Sequence, residues 1–243
     1  MSYFWISLAL GTVAGIANLF GGAIVSARPW SRTFLALFIA LGAGFMLATA
    51  LTEMVPESLV LAPRAGPALI LLGYFIVHYF EHAWPAHFHF GEETHCDEFV
   101  NPRVAYTALA GLTIHTFFDG VSITSGFLIS PWLGIVIFGA TLLHNVPEGF
   151  TMASIMVAAG RTRKVSMVAV GVLAVSRLLG VLGMALAHRW VNYGLSISAG
   201  VTLYVAASDL IPEVNKMKTP KYALTVATGV AMVLAMKYLF FNF

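Results

Sequence analysis

His115 and Asp119 lie four residues apart in TIHTFFDGVS, residues 113 to 122, and His144 and Glu148 repeat that spacing in LLHNVPEGFT, residues 142 to 151. In a helix, residues four apart share one face, so each imidazole stands beside its carboxylate. Two such faces brought together offer two nitrogens and two oxygens to one point. That donor set suits Zn²⁺, Fe²⁺, Mn²⁺ or Co²⁺, whereas Cu⁺ prefers sulfur and Ca²⁺ an all-oxygen cage. Both pairs interrupt apolar runs, where an unpaired carboxylate is costly and a divalent cation is the partner that best offsets the cost. For either pair alone, a proton relay without metal competes with this reading. Pro147 removes the helical bond to the carbonyl of Leu143, and Gly120 and Gly149 follow the two carboxylates, so the second run has a flex point and both permit close backbone approach.

The elements that hold these residues are membrane spans. The chain has 243 residues, 59% of them hydrophobic and 10% charged, with a mean hydropathy of +0.85, too apolar for a soluble core in a polar shell. Apolar stretches near 3–27, 33–54, 67–84, 104–128, 131–159, 165–188, 194–212 and 220–241 each approach the roughly 20 residues that cross about 30 Å of hydrocarbon. They are continuous, not alternating, which favours helices over a barrel. The fold expected is an all-α polytopic membrane protein of eight transmembrane helices in one domain, 1–243. The first stretch lacks a basic leader and a cleavage-like site, so it reads as a span and not as a removed signal peptide.

Nine Lys and Arg residues fall in the first, third, fifth and seventh loops, against only Arg64 and Arg189 in the others. This bias places those four loops in the cytoplasm and both termini outside, in a multi-pass cell-membrane protein. A net charge of +2 without a basic stripe argues against a nucleic-acid partner, and a single cysteine, Cys96, excludes an internal disulfide framework and a cysteine-based zinc module.

The chain also repeats itself. ALTEMVPE at 50–57 and AASDLIPE at 206–213 share one pattern, and ANLFG at 17–21 echoes SRLLG at 176–180. In the expected topology the first copy of the acidic pattern lies at an outer end and the second at an inner end, as an inverted repeat requires. A 3+2+3 arrangement follows, with spans 1–3 mirrored by spans 6–8 around an antiparallel central pair, spans 4 and 5. Glu53, Glu57, Asp209 and Glu213 then sit at opposite mouths as a weak acidic funnel. The third loop, about 85–103, and its approach carry His82, His87, His89 and His95, a composition for low-affinity metal capture whose spacing matches no closed zinc motif.

HNVPEG at 144–149, HTFFDG at 115–120 and GAGFMLATALTEMVPE at 42–57 resemble the ZIP family of divalent metal transporters, and the likeness runs through the whole chain. The resemblance implies eight helices with outside termini, a transport site lined by His115, Asp119, His144 and Glu148, and metal movement toward the cytoplasm. Many ZIP relatives hold a second metal beside the first, and the matching positions here are Thr116, Asn145 and Arg177. Asn145 remains a candidate ligand. A cation such as Arg177 repels a second metal and is expected to occupy its place, pairing with Asp119 or Glu148, so one metal is expected, not two.

The function expected is carriage of a divalent metal, Zn²⁺ first with Fe²⁺ or Mn²⁺ as alternatives, by rocking one bundle against the other. The metal is the transported substrate, there is no catalytic cofactor, and the protein is not an enzyme. Protonation of the ligands as metal leaves makes the process sensitive to pH. The metal ion and the bilayer are the partners; a homodimer is left open. The competing readings are an intramembrane metal-dependent hydrolase, which needs an open coordination position but no inverted repeat, and a metal-sensing membrane scaffold.

Overall fold

Backbone amides that face hydrocarbon must be satisfied within their own segment, so long apolar runs fold as helices. The computed structural model describes residues 2–27, 32–82, 102–216 and 219–241, and every regular element among them is helical. In chain order these are α1 (Ser2–Ala27), α2 (32–61), α3 (Gly66–His82), α4 (Pro102–Ile129), α5 (Pro131–Ala158), α6 (Arg163–Leu186), α7 (191–216) and α8 (Pro220–Phe241). Among the described residues, six helices are long and apolar enough to cross a membrane. The other two, α3 and α7, are shorter or interrupted: α3 has 17 residues, and α7 is broken by a wide turn.

That wide turn occurs twice. In α2 a π-helical turn spans Ala50–Met54 between α segments Arg32–Thr49 and Val55–Leu61, and in α7 another spans Val205–Leu210 between Val191–Tyr204 and Ile211–Lys216. Both overlap the two copies of the acidic pattern, and both precede a proline, Pro56 or Pro212. Because proline brings no N–H, the ladder must shift locally, and a single π turn is the usual way a helix absorbs this.

The connections are built from local signals. Ser130 is extended and caps α5, its Oγ accepting from the Leu133 amide at 3.1 Å with Pro131 in the first turn, so α4 and α5 fold back antiparallel. Gly160, at φ 72°, ends α5 in the left-handed conformation that glycine adopts without strain. Thr162 then caps α6.

The bundle is inverted relative to a soluble protein. Large apolar side chains such as Val168, Val175 and Leu179 of α6 are exposed, while Thr49, His115, Asp119, His144, Glu148 and Arg177 are buried. Helices that gain no hydrophobic energy from leaving lipid associate by close backbone packing, and small residues permit it. Here the permission is reciprocal. A Cβ on Gly120 of α4 would strike the Arg177 carbonyl of α6, and one on Gly180 of α6 would strike the Phe117 carbonyl of α4. Gly21 and Gly149 do the same for α1 and α5, Gly44 and Gly229 for α2 and α8, and Gly73 and Gly200 for α3 and α7. The remaining large interfaces join α1 to α6, α4 to α5, α2 to α5 and α4 to α7.

Replacing Gly44 or Gly200 by Leu forces side-chain carbon into a partner carbonyl and is expected to destabilise by about 3 kcal/mol. Gly171, which faces open space, provides the control: Gly171→Ala changes stability by no more than about 1 kcal/mol. Thermal unfolding in detergent measures both, and equal effects at the three positions would show that the seams do not hold the pairs.

Candidate metal site

The two carboxylate-bearing faces meet between α4 and α5. Among the described residues, one group of three metal-ligating side chains offers ligand atoms within 4.8 Å of one another, and it is His115, Asp119 and His144. Asp119 is the hub. Its Oδ2 lies 3.7 Å from His115 Nε2 and 3.2 Å from His144 Nε2. A metal held at roughly 2.0–2.1 Å by tetrahedral ligands separates them by about 3.3 Å, so both spacings fit a shared ion.

The protonation pattern follows from chemistry. His144 Nδ1 lies 2.8 Å from the Ala140 carbonyl, and a carbonyl only accepts, so Nδ1 carries the hydrogen. Nε2 of the neutral ring is therefore a lone pair facing a carboxylate oxygen. Two acceptors at that distance need a cation or a proton between them. Neither ring nitrogen of buried His115 has a hydrogen-bond partner, and its Nε2 lies 3.7 Å from Asp119 Oδ2, which leaves a second imidazole turned to the same point.

Glu148 takes another partner. Its Oε2 lies 3.2 Å from Arg177 Nη2, its Oε1 has no hydrogen-bond partner, and it falls outside the close group of three. The same Arg177 nitrogen donates to Asp119 Oδ2 at 3.1 Å and to Asn145 Oδ1 at 2.8 Å. Asn145 in turn donates through Nδ2 to the Ala14 carbonyl of α1 at 2.9 Å, so its side chain is committed to bracing Arg177. Thr116 is buried, and its hydroxyl donates within its own helix to Thr113 at 3.1 Å. With both histidines neutral, Asp119, Glu148 and Arg177 sum to a charge of about −1. One divalent ion brings the cluster to about +1, a second to about +3 in a medium where such charges interact strongly.

Pro147 lies inside α5. The Leu143 carbonyl it leaves unbonded faces Gly42 of α2, which also packs on His144. A small pocket runs from Asp119 and His144 past Thr141 and Ile137 to Thr49 and Met54 of α2, with Thr202 of α7 on its wall. It extends toward the end of the bundle that holds the α4–α5 turn. The other side of the site is filled by Met152, Ile155, Met156 and Leu173, all fully buried.

Of the acidic residues expected at the mouths, Glu53 and Asp209 are buried in the two π turns and Glu57 is half-buried. The side chains of Glu213 and His82, and His87, His89 and His95 altogether, lie outside the described residues. Spacing rules missed Lys237 and Trp132. Lys237 Nζ sits 2.9 Å from Glu53 Oε1, and Trp132 Nε1 donates to Glu53 Oε2 at 3.3 Å. The signal for the first was a lone lysine inside the last apolar run.

Comparison with known proteins returns one family. The sequence model of the family described as "Zip: ZIP Zinc transporter" matches residues 93–237, more than half of the chain. The chain is 29% identical to zinc transporter zipt-7.2 of Caenorhabditis elegans over 144 residues, 53% of this chain and 30% of that protein. It is 25% identical to zinc transporter ZIP9 of Xenopus tropicalis over 160 residues, 61% of this chain and 52% of that protein. It is 32% identical to zinc transporter SLC39A7 of Rattus norvegicus over 148 residues, 55% of this chain and 31% of that protein. The matched part of the chain thus spans between 30% and 52% of the length of these curated relatives.

Arg177 is fully buried among two carboxylates, so its loss strands them. Arg177→Leu is expected to destabilise by about 3–5 kcal/mol, and adding Glu148→Gln to recover part of that. Chemical denaturation of the single and double variants measures both steps; an unaltered midpoint for Arg177→Leu refutes the pairing.

Proposed function

The chain belongs to the ZIP family, and on that premise we propose that it carries a divalent transition-metal ion, Zn²⁺ first, across the cell membrane toward the cytoplasm. The site is formed by His115, Asp119 and His144, with Glu148 as a reserve carboxylate. The observation that carries this reading is the facing pair of acceptors, His144 Nε2 and Asp119 Oδ2, at 3.2 Å. A proton would meet their need as well as a metal, but the unpartnered imidazole of His115 beside them favours the ion, which takes all three ligands at once.

Arg177 stands where many relatives place a second metal and makes the site one for a single ion. Its charge lowers the attraction for the first metal to a level from which release remains feasible, because a transported ion must leave as readily as it binds. Asn145 acts here as the brace of Arg177 and not as a ligand. Fe²⁺ and Mn²⁺ suit the same donors.

The architecture proposed is the 3+2+3 inverted repeat with both termini outside. It is supported by the reciprocal glycine contacts, which exchange partners consistently when α1, α2, α3 and α4 are swapped for α6, α7, α8 and α5. The paired π turns follow the same exchange. In that orientation the pocket lies on the outer side of the site and the packed methionines on the inner side. The rival readings from sequence, a hydrolase and a sensing scaffold, draw no support from matches to transporters.

Purified protein in vesicles tests the proposal. Zn²⁺ uptake is expected in native protein and is expected to fall by at least about 10–100-fold in His144→Ala, the range lost when even an outer support of a metal ligand is removed. Equilibrium dialysis is expected to count one Zn²⁺ per native chain and two per Arg177→Glu chain. Uptake indifferent to His144→Ala sinks the site; two ions in native protein sink the role given to Arg177.

A further inference from the structure

Glu53 is only 8% exposed, yet it lies close to the bundle end that holds the α4–α5 turn, and its carboxylate is gripped from two sides. Lys237 Nζ of α8 is 2.9 Å from Oε1 and Trp132 Nε1 donates to Oε2 at 3.3 Å, while the Thr52 hydroxyl beside Oε1 gives its one hydrogen to the Ala48 carbonyl at 2.8 Å. Lys237 also donates to the Thr52 carbonyl at 3.0 Å. In the α register the donor to that carbonyl would be Pro56, which has no N–H, and the π turn there shifts the ladder. The Glu53 carboxylate and the Thr52 carbonyl form an oxygen-lined seat for a cation, and a tethered ammonium fills it.

The two sides of this contact are unequal. Glu53 is enclosed, whereas the Lys237 side chain is 44% exposed, and an ion pair with one half-exposed member is weakly held. Glu53 also adjoins the pocket. Its neighbours Thr49 and Met54 line the cavity that reaches Asp119 and His144, as does Ile137, little more than a turn along α5 from Trp132. A lysine near a helix end in a membrane normally extends toward the headgroups; this one turns inward.

We propose that Glu53 and the Thr52 carbonyl form a first cation site at the pocket mouth, with Lys237 as its built-in competitor. An incoming divalent cation exchanges with the ammonium before moving on to His144 and Asp119. The competitor selects by charge: a monovalent ion gains from the carboxylate no more than the ammonium it displaces, while a divalent ion gains about twice as much. This rests on the transport reading above, and its test includes a measurement that does not depend on transport.

In vesicles, Lys237→Gln is expected to lower the half-saturating Zn²⁺ concentration for uptake by about tenfold and to make uptake sensitive to Na⁺. Lys237→Arg is expected to match native protein. Glu53→Gln raises the half-saturating concentration, and in that background Lys237→Gln has no further effect. The transport-independent measurement uses Trp132 as the lone tryptophan, the others being Phe, in a His144→Ala chain. Mn²⁺ is expected to quench its fluorescence at about tenfold lower concentration when Lys237→Gln is present, and not when Glu53→Gln is added. The proposal is overturned if Lys237→Gln leaves the quenching midpoint unchanged, or lowers it equally without Glu53. Failure of uptake with quenching intact would instead remove the deeper site while leaving this one standing.

Discussion

A guanidinium sealed from water and shared by two carboxylates is the constraint from which the rest of this bundle follows. Arg177 can neither shed its charge nor reach solvent, so the helices around it must bring acceptors to it. Asp119 comes from α4, Glu148 and Asn145 from α5, and the Ala14 carbonyl of α1 anchors the asparagine. Gly180 allows the backbone of α6 to lie on the Phe117 carbonyl, close enough for Arg177 to cross to its partners. Local packing and buried charge are thus one problem with one solution.

The solution leaves a deliberate imbalance. Two acids and one base give the interior a residual negative charge, small enough to survive burial and of the right sign for a cation. Neutral imidazoles add affinity without altering that balance. Asp119 belongs to both systems at once, accepting from Arg177 and facing both histidines, so any ion held there would compete with the arginine for one oxygen atom.

The apolar stretches visible in the sequence correspond closely to the eight helices, because hydrocarbon leaves the backbone no other way to pair its amides. The four-residue spacing likewise placed His115 beside Asp119 and pointed to the counter-running α4 and α5. Reach across helices was legible for Arg177, whose place in the family pattern led to an expected pairing with Asp119 or Glu148, and it pairs with both. Spacing could not reveal Lys237, which arrives from the far end of the chain to meet Glu53. Nor was the π geometry legible as such, although Pro56 and Pro212, each behind an acidic residue in the repeated pattern, held its cause. Glycines were legible only as permissive residues; their reciprocity emerges when each is matched with the carbonyl it faces.

The glycine seams have a mechanical meaning. They lock α4 to α6, α1 to α5, α2 to α8 and α3 to α7 at backbone contact, and tight packing of α1 on α6 joins the first two pairs. Large displacements along these seams would drive backbone into backbone. The pocket, by contrast, is walled by α2 and α7 on one side and α4 and α5 on the other, along the interfaces that lack reciprocal glycines. The boundary between two backbone-locked groups, α1 with α4, α5 and α6 on one side and α2 with α3, α7 and α8 on the other, therefore runs along the pocket, and His115, Asp119, His144 and Glu148 all belong to the first group.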